Sequence, residues 1–273
     1  MDLSPDSGED IELDDVYRKS DPFKFLPEVY NSGSDLRRQS HEFYDQIVEV
    51  YGINAAPSIC RGLVPAAAMY THATVLYADI VGFTTHCTTK GLDEISGWMT
   101  RVHKKIDQLL DKYAIRKVET RGDCCICVSG TNFISTTESV SKDLASDQVT
   151  RMLKFGVEMS IELQTGERTE VRVGMATGSI VLTHISHIAD TLPAKYIYGD
   201  TVNVAARMEQ TGASGMIQLN ELAAMTYAEE QNLDQADVPL EVKEIKGKGV
   251  MRVAMYDCSK TGFVLHEHIS NAR

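Results

Sequence analysis

Thr74-Val75-Leu76-Tyr77-Ala78-Asp79-Ile80-Val81-Gly82-Phe83-Thr84 decides how the chain is read. Residues 74–78 are β-prone, mostly apolar and show no polar alternation, which predicts a buried strand. The run then gives way to an acid, Asp79, and a glycine, Gly82. A carboxylate at the end of a buried strand can hold a hard cation. Gly82 lets the backbone come close enough for amide groups at Gly82, Phe83 and Thr84 to face a phosphate. Alone, an Asp before a turn is often only a cap.

Outward from this strand, residues 92–113 read as a helix whose apolar face is Ile95, Met99, Val102, Ile106, Leu109 and Leu110. Residues 117–120 read as a strand, Arg121-Gly122-Asp123 as a tight turn, and residues 124–129 as the returning strand. Adjacent Cys124 and Cys125 then point to opposite faces. Residues 131–146 are polar and read as a loop, 147–164 as a helix and 171–176 as a strand. Residues 203–209 read as a helix, preceded by Gly199-Asp200-Thr201 as a turn with capping residues. Later strands are expected near 215–219 and 250–256. The order β-α-β-β-α-β with C-terminal additions predicts an α/β protein, an α+β sandwich built on a ferredoxin-like palm.

The 273 residues are 43% hydrophobic and 24% charged, the balance of an ordinary globular chain. The formal net charge of −12 argues against a general nucleic-acid binder. It also means that an anionic substrate needs local cations or metal ions. Six cysteines without paired CxxC spacing read as reduced thiols in a cytosolic setting. No apolar run reaches the roughly 18 residues of a membrane helix. The acidic N-terminus does not read as a signal peptide. The expectation is therefore a cytoplasmic chain without membrane contact of its own, either free-standing or cut from the cytosolic part of a membrane receptor.

Three further motifs carry chemistry. Gly122-Asp123 at a hairpin tip is common turn chemistry by itself. Neighbouring strands could nevertheless bring Asp123 beside Asp79, and two close carboxylates call for a cation or a shared proton. In Gly199-Asp200-Thr201-Val202-Asn203-Val204-Ala205-Ala206-Arg207-Met208, Asn203 and Arg207 share a helix face. A fixed guanidinium beside an amide suits a ribose and a phosphate. In Lys246-Gly247-Lys248-Gly249 the two lysines share one face if the segment is extended, and could meet a triphosphate.

Taken in order, residues 78–84, Val118-Glu119-Thr120-Arg121-Gly122-Asp123, residues 199–208 and residues 246–249 resemble the class III adenylyl and guanylyl cyclase catalytic domain. The resemblance implies two Mg²⁺ or Mn²⁺ ions held by Asp79, Asp123 and the carbonyl of Ile80. It also implies Asn203 on the ribose, Arg207 on the α-phosphate, and Lys248 with Lys246 on the terminal phosphates. The site is expected to lie across a head-to-tail homodimer, or a heterodimer with a related cyclase domain. At the base, Glu119 accepts only, so it suits the N1–H and N2–H₂ donors of guanine and opposes N1 of adenine. Tyr196, four residues before Asp200, is the second base-reading position. GTP is the favoured substrate, with ATP as the alternative. A non-catalytic or heterodimeric module is the competing function.

The expected organisation is an acidic, disordered segment (1–35), a flanking helix and linker (36–72, helical over about 35–56 with Phe43, Ile47, Val48 and Tyr51 on its face), a catalytic domain (73–260) and a tail (261–273). Residues 180–193 lack the short Gly-rich turn common between these strands in the family that the chain resembles. There His184 and His187 are spaced to permit a metal pair but read as loop or core residues.

Overall fold

A computed structural model describes residues 42–48, 51, 55–131, 147–185 and 194–265. The chain divides into two units, residues 1–65 and 66–273. In the first, residues 42–48 are helical and a short helix α1 spans Ala56–Cys60. Ile47, Val48, Tyr51, Ala55, Ala56 and Ile59 bury one another. Phe43, one turn before Ile47, is 49% exposed and is not buried with them.

The second unit follows the expected order. Strand β1 (Ala68–Ile80) leads through α2 (Phe83–Thr89) and α3 (Leu92–Lys112) to a hairpin of β2 (Arg116–Arg121) and β3 (Cys124–Ser129). Helix α4 (Gln148–Glu167), β4 (Val171–Ile185), β5 (Ala194–Tyr198), α5 (Asp200–Thr211) and β6 (Met216–Asn220) follow. The unit ends with α6 (Glu221–Glu230), β7 (Glu241–Ile245), β8 (Gly249–Asp257) and β9 (Gly262–Val264). The sheet order is β2-β3-β1-β4-β6-β8-β7, with β5 on β4 and β9 on β8. Its first four strands are the antiparallel core of a ferredoxin-like palm, since β1 inserts between β3 and β4.

Strand alternation sorts the core into two layers. Leu76, Ala78, Cys125 and Cys127 pack under α3 and α4 with Phe155, Met152 and Leu163. Val75, Ile126, Val128 and Ala176 pack on the opposite face with Val204, Ala205 and Met208 of α5. Cys124 joins the second layer and Cys125 the first, as adjacent strand residues must.

Several expectations need correction. The strand expected over 171–176 runs on as far as Ile185, where β4 pairs with β5, and His184 is a buried residue within it. Residues 132–146 and 186–193, including His187, lie outside the described residues. Gly199, not Asp200 or Thr201, precedes α5, and no side chain caps it; Thr201 Oγ1 instead donates to Ser179 O (2.8 Å). The first turn of α4 also lacks a local cap. Glu230 at the end of α6 supplies one, accepting from Val149 N (3.1 Å) and Thr150 N (2.7 Å).

Helix α5 reaches the sheet closely because β4 has no side chain beneath it. A Cβ on Gly174 would lie 1.9 Å from Glu209 N and 2.5 Å from Ala205 O. These are backbone atoms and cannot rotate away. Gly174→Ala is expected to cost about 3 kcal/mol of stability, read as a lower urea midpoint at unchanged slope; a loss below ~1 kcal/mol would mean that α5 lifts freely.

Candidate active site

Asp79 is the penultimate residue of β1, pairing with Arg172 on β4. By alternation with Val75 and Tyr77 it faces the α5 side of the sheet. The β2–β3 turn, closed by Gly122 at φ 63°, brings Asp123 to the same end. There the negative charge of Asp123 bears on Asp79. Burial, Asp123 and Glu209 together push Asp79 up to about 6, against the opposing pull of Arg172. Burial also raises Glu209, which is 5% exposed on the apolar stripe of α5.

One guanidinium serves this group. Arg172 Nη2 lies 2.6 Å from Glu209 Oε1 and 3.3 Å from Asp79 Oδ2, and Nε donates to Glu209 (2.6 Å). Neither Arg172 nor Glu209 was singled out from sequence. An acid within the stripe Val204, Ala205, Met208, Glu209 was the available signal. Nearby, burial and the charges of Asp79 and Glu209 push the Cys124 thiol up to about 12, so it stays protonated.

Beyond Asp79 the chain turns at Gly82, whose φ of 78° favours glycine. Val81 N donates to Glu170 O (2.9 Å). Gly82 and Thr84 are exposed and Phe83 half-buried. On α5, Asn203 is exposed, and Arg207 Nη1 donates to Gln210 Oε1 (2.6 Å) on its own helix. Glu119 lies on the sheet's edge strand, opposite Ile126, and pairs with Arg121 Nε (2.9 Å). Tyr196 on β5 pairs in register with Thr183 and stacks on Tyr198 at 6.3 Å.

The lysines do not share an extended face. Ile245 pairs with Gly249, so Lys246-Gly247-Lys248 is a hairpin connection turned by Gly247 at φ 77°. Lys248 folds back to Asp200 at the start of α5, while Lys246 is exposed.

The donor set suits a hard divalent cation. Carboxylates crowded together are relieved by a cation, and the Ile80 carbonyl follows Asp79 in sequence. Among the described residues no group of three His, Cys, Asp or Glu side chains forms a cage. Mg²⁺ bound by one or two carboxylates and completed by substrate oxygens needs none. Among the same residues no helix is long and apolar enough to cross a membrane.

A ferredoxin-like sheet carrying paired carboxylates at the end of its first strand is the frame of a class III nucleotidyl cyclase domain. Residues 66–257 match the family model described as the adenylate and guanylate cyclase catalytic domain, and the chain belongs to that family. It is 30% identical over 194 residues to the receptor-type guanylate cyclase gcy-23 of Caenorhabditis elegans, a match covering 67% of this chain and 16% of that protein. It is 29% identical over 204 residues to the human guanylate cyclase soluble subunit beta-2, covering 72% and 30%. An adenylate cyclase of Mycobacterium tuberculosis H37Rv is 30% identical over 188 residues, covering 68% and 39%. The chain thus spans well under half the length of these relatives. Among solved structures, the guanylate cyclase domain of RhGC from Catenaria anguillulae in complex with GTP superposes with a TM-score of 0.55 at 23% identity, covering 69% of this chain and 97% of that one. The adenylyl cyclase CyaB of P. aeruginosa gives 0.55 at 18%, covering 73% and 96%. Both show the fold.

A carboxyl raised in the native state binds its proton more tightly there than in the unfolded chain. Ionising Asp79 without metal is therefore a penalty, absent below about pH 4 and complete once the pH has risen through 6. In EDTA, Asp79→Asn is expected to raise Tm at pH 7.5 and to match wild type at pH 4. Equal Tm at both pH values would contradict this crowding of charge.

Proposed function

We propose that the chain converts GTP, in preference to ATP, into the 3′,5′-cyclic nucleotide and pyrophosphate, in a homodimer whose two sites each draw on both subunits. The carrying observation is the crowding of acidic charge around Asp79 at the end of β1, where Asp123 and Glu209 both act on it and Arg172 reaches it at 3.3 Å. Two Mg²⁺ or Mn²⁺ ions at Asp79, Asp123 and the Ile80 carbonyl would supply the positive charge that acidifies the ribose 3′-hydroxyl and offsets the triphosphate.

The chain's own residues do the rest. Asn203 orients the ribose so that the 3′-oxygen faces the α-phosphorus in line. As that oxygen bonds to phosphorus and the bridge to the β-phosphate breaks, Arg207 donates to the α-phosphoryl oxygens where charge accumulates. Amides at Gly82, Phe83 and Thr84 face the phosphates. Lys248, held beside α5 by Asp200, meets the terminal phosphates, with Lys246 as a second cation. Arg207 turns to Gln210 within its own subunit. This supports a site in which the partner's carboxylates face Asn203 and Arg207.

Glu119 takes the two guanine donors and Tyr196 meets O6. One observation favours the adenylyl reading: Glu119 is engaged by Arg121 at 2.9 Å, and while that pair holds, base choice passes to Tyr196.

A manganese assay comparing GTP with ATP over a range of protein concentration tests the reading. Cyclic GMP should dominate, with activity rising faster than protein concentration. Arg207→Ala should lower kcat by roughly 10²–10³. Asp79→Ala should be equally inactive, yet mixing the two variants should restore about a quarter of wild-type activity, because half the dimers then hold one intact site. Mixtures that stay inactive would rule out shared sites, and no product from either nucleotide would refute the enzyme itself.

A further inference from the structure

The loop that follows Asp79 is mostly exposed at residues 81, 82 and 84, yet its helix is held down by one aromatic side chain. His86 of α2 stacks on Trp98 of α3, with ring centroids 4.8 Å apart and planes at 23°. Phe83 stacks on the same indole at 6.1 Å. The indole N–H donates to Thr169 Oγ1 (2.9 Å), and Thr169 is 4% exposed. The next residue along, Glu170, accepts the Val81 N–H through its carbonyl (2.9 Å). The short turn between α4 and β4 therefore grips the loop directly and grips the indole on which the loop's helix rests.

Imidazole closes the circuit. His86 Nδ1 lies 3.2 Å from Gly82 O, and since a carbonyl only accepts, Nδ1 carries the proton. The Gly82 carbonyl also accepts the backbone N–H of His86 (3.1 Å). Its orientation sets the plane of the peptide whose N–H belongs to Phe83. A surface cleft of about 210 Å³ borders the stack, lined by His86, Ile95 and Trp98 with the ion pairs Lys90–Glu94 and Arg101–Glu167.

We propose that Trp98 is a positioning residue for the triphosphate: through His86 and Phe83 it fixes the loop at residues 81–84, and nucleotide binding at that loop is transmitted to the indole. The inference rests on the cyclase reading above. Trp98 acts through its neighbours and touches no reacting atom.

Trp98 is the single tryptophan of the chain, so its emission is unmixed. The test titrates the full chain with Mg²⁺ and 3′-deoxy-GTP, or 3′-deoxy-ATP, which lack the attacking hydroxyl and cannot turn over. Calorimetry on the same samples gives the binding midpoint independently. A saturable emission change with the calorimetric midpoint is expected. In His86→Ala, KM for the triphosphate should rise roughly tenfold with kcat within about twofold. Trp98→Phe, which keeps a ring but loses the N–H, should fall between His86→Ala and wild type, its fold checked by Tm. Binding heat with silent emission, or a wild-type KM in His86→Ala, overturns the proposal and leaves the cyclase reading standing. No heat with either nucleotide sinks both.

Discussion

Three carboxylates meet at one end of the sheet, and a single guanidinium answers two of them. Arg172 stands opposite Asp79 on the neighbouring strand and reaches Glu209 on the helix above. Glu209 is the buried member of this group, so removing Arg172 would leave a buried carboxylate uncompensated, which costs more than the net worth of the intact pair. The end of β1, the start of β4 and the last turn of α5 are therefore tied together electrostatically. Helix α5 also bears Asn203 and Arg207, so their height above the sheet is set at the same point. Gly174, two residues along β4 from Arg172, makes this possible by letting the helix backbone rest on the strand.

Much of the fold was legible because burial leaves a periodic trace. The apolar face of α3 and the alternation of residues 124–129 follow from packing against a sheet, and Val102, Ile106, Leu109 and Leu110 are indeed buried. Strand β4 was underestimated because its second half trades apolar alternation for residues such as Ser179, Thr183 and His184, whose strand state depends on pairing with β1 and β5. Helix α6 passed unnoticed although Asn220 caps it, accepting from Ala223 N, ahead of a run of strong helix formers. Strands β5 (Ala194-Lys195-Tyr196-Ile197-Tyr198) and β7 (Glu241-Val242-Lys243-Glu244-Ile245) each include charge and are only partly buried, so neither shows an apolar run.

At the candidate site, sequence could place Asp79 at a strand end and Asp123 in a turn, because both are local properties. It could not place Arg172 opposite Asp79, since register between strands 93 residues apart is a long-range fact. The shared extended face of the two lysines does not form, for a local reason: Gly247 at positive φ turns the chain, and an alternation argument does not survive a turn.

The cap on α4 has a consequence in time. Glu230 lies about eighty residues downstream of the amides it accepts. At synthesis rates of roughly 5–20 residues per second, the first turn of α4 emerges several seconds before its cap exists. During that interval the helix start has only water for its N–H groups. The start of α4 is thus completed late in translation, by a residue from the part of the chain that follows the palm core.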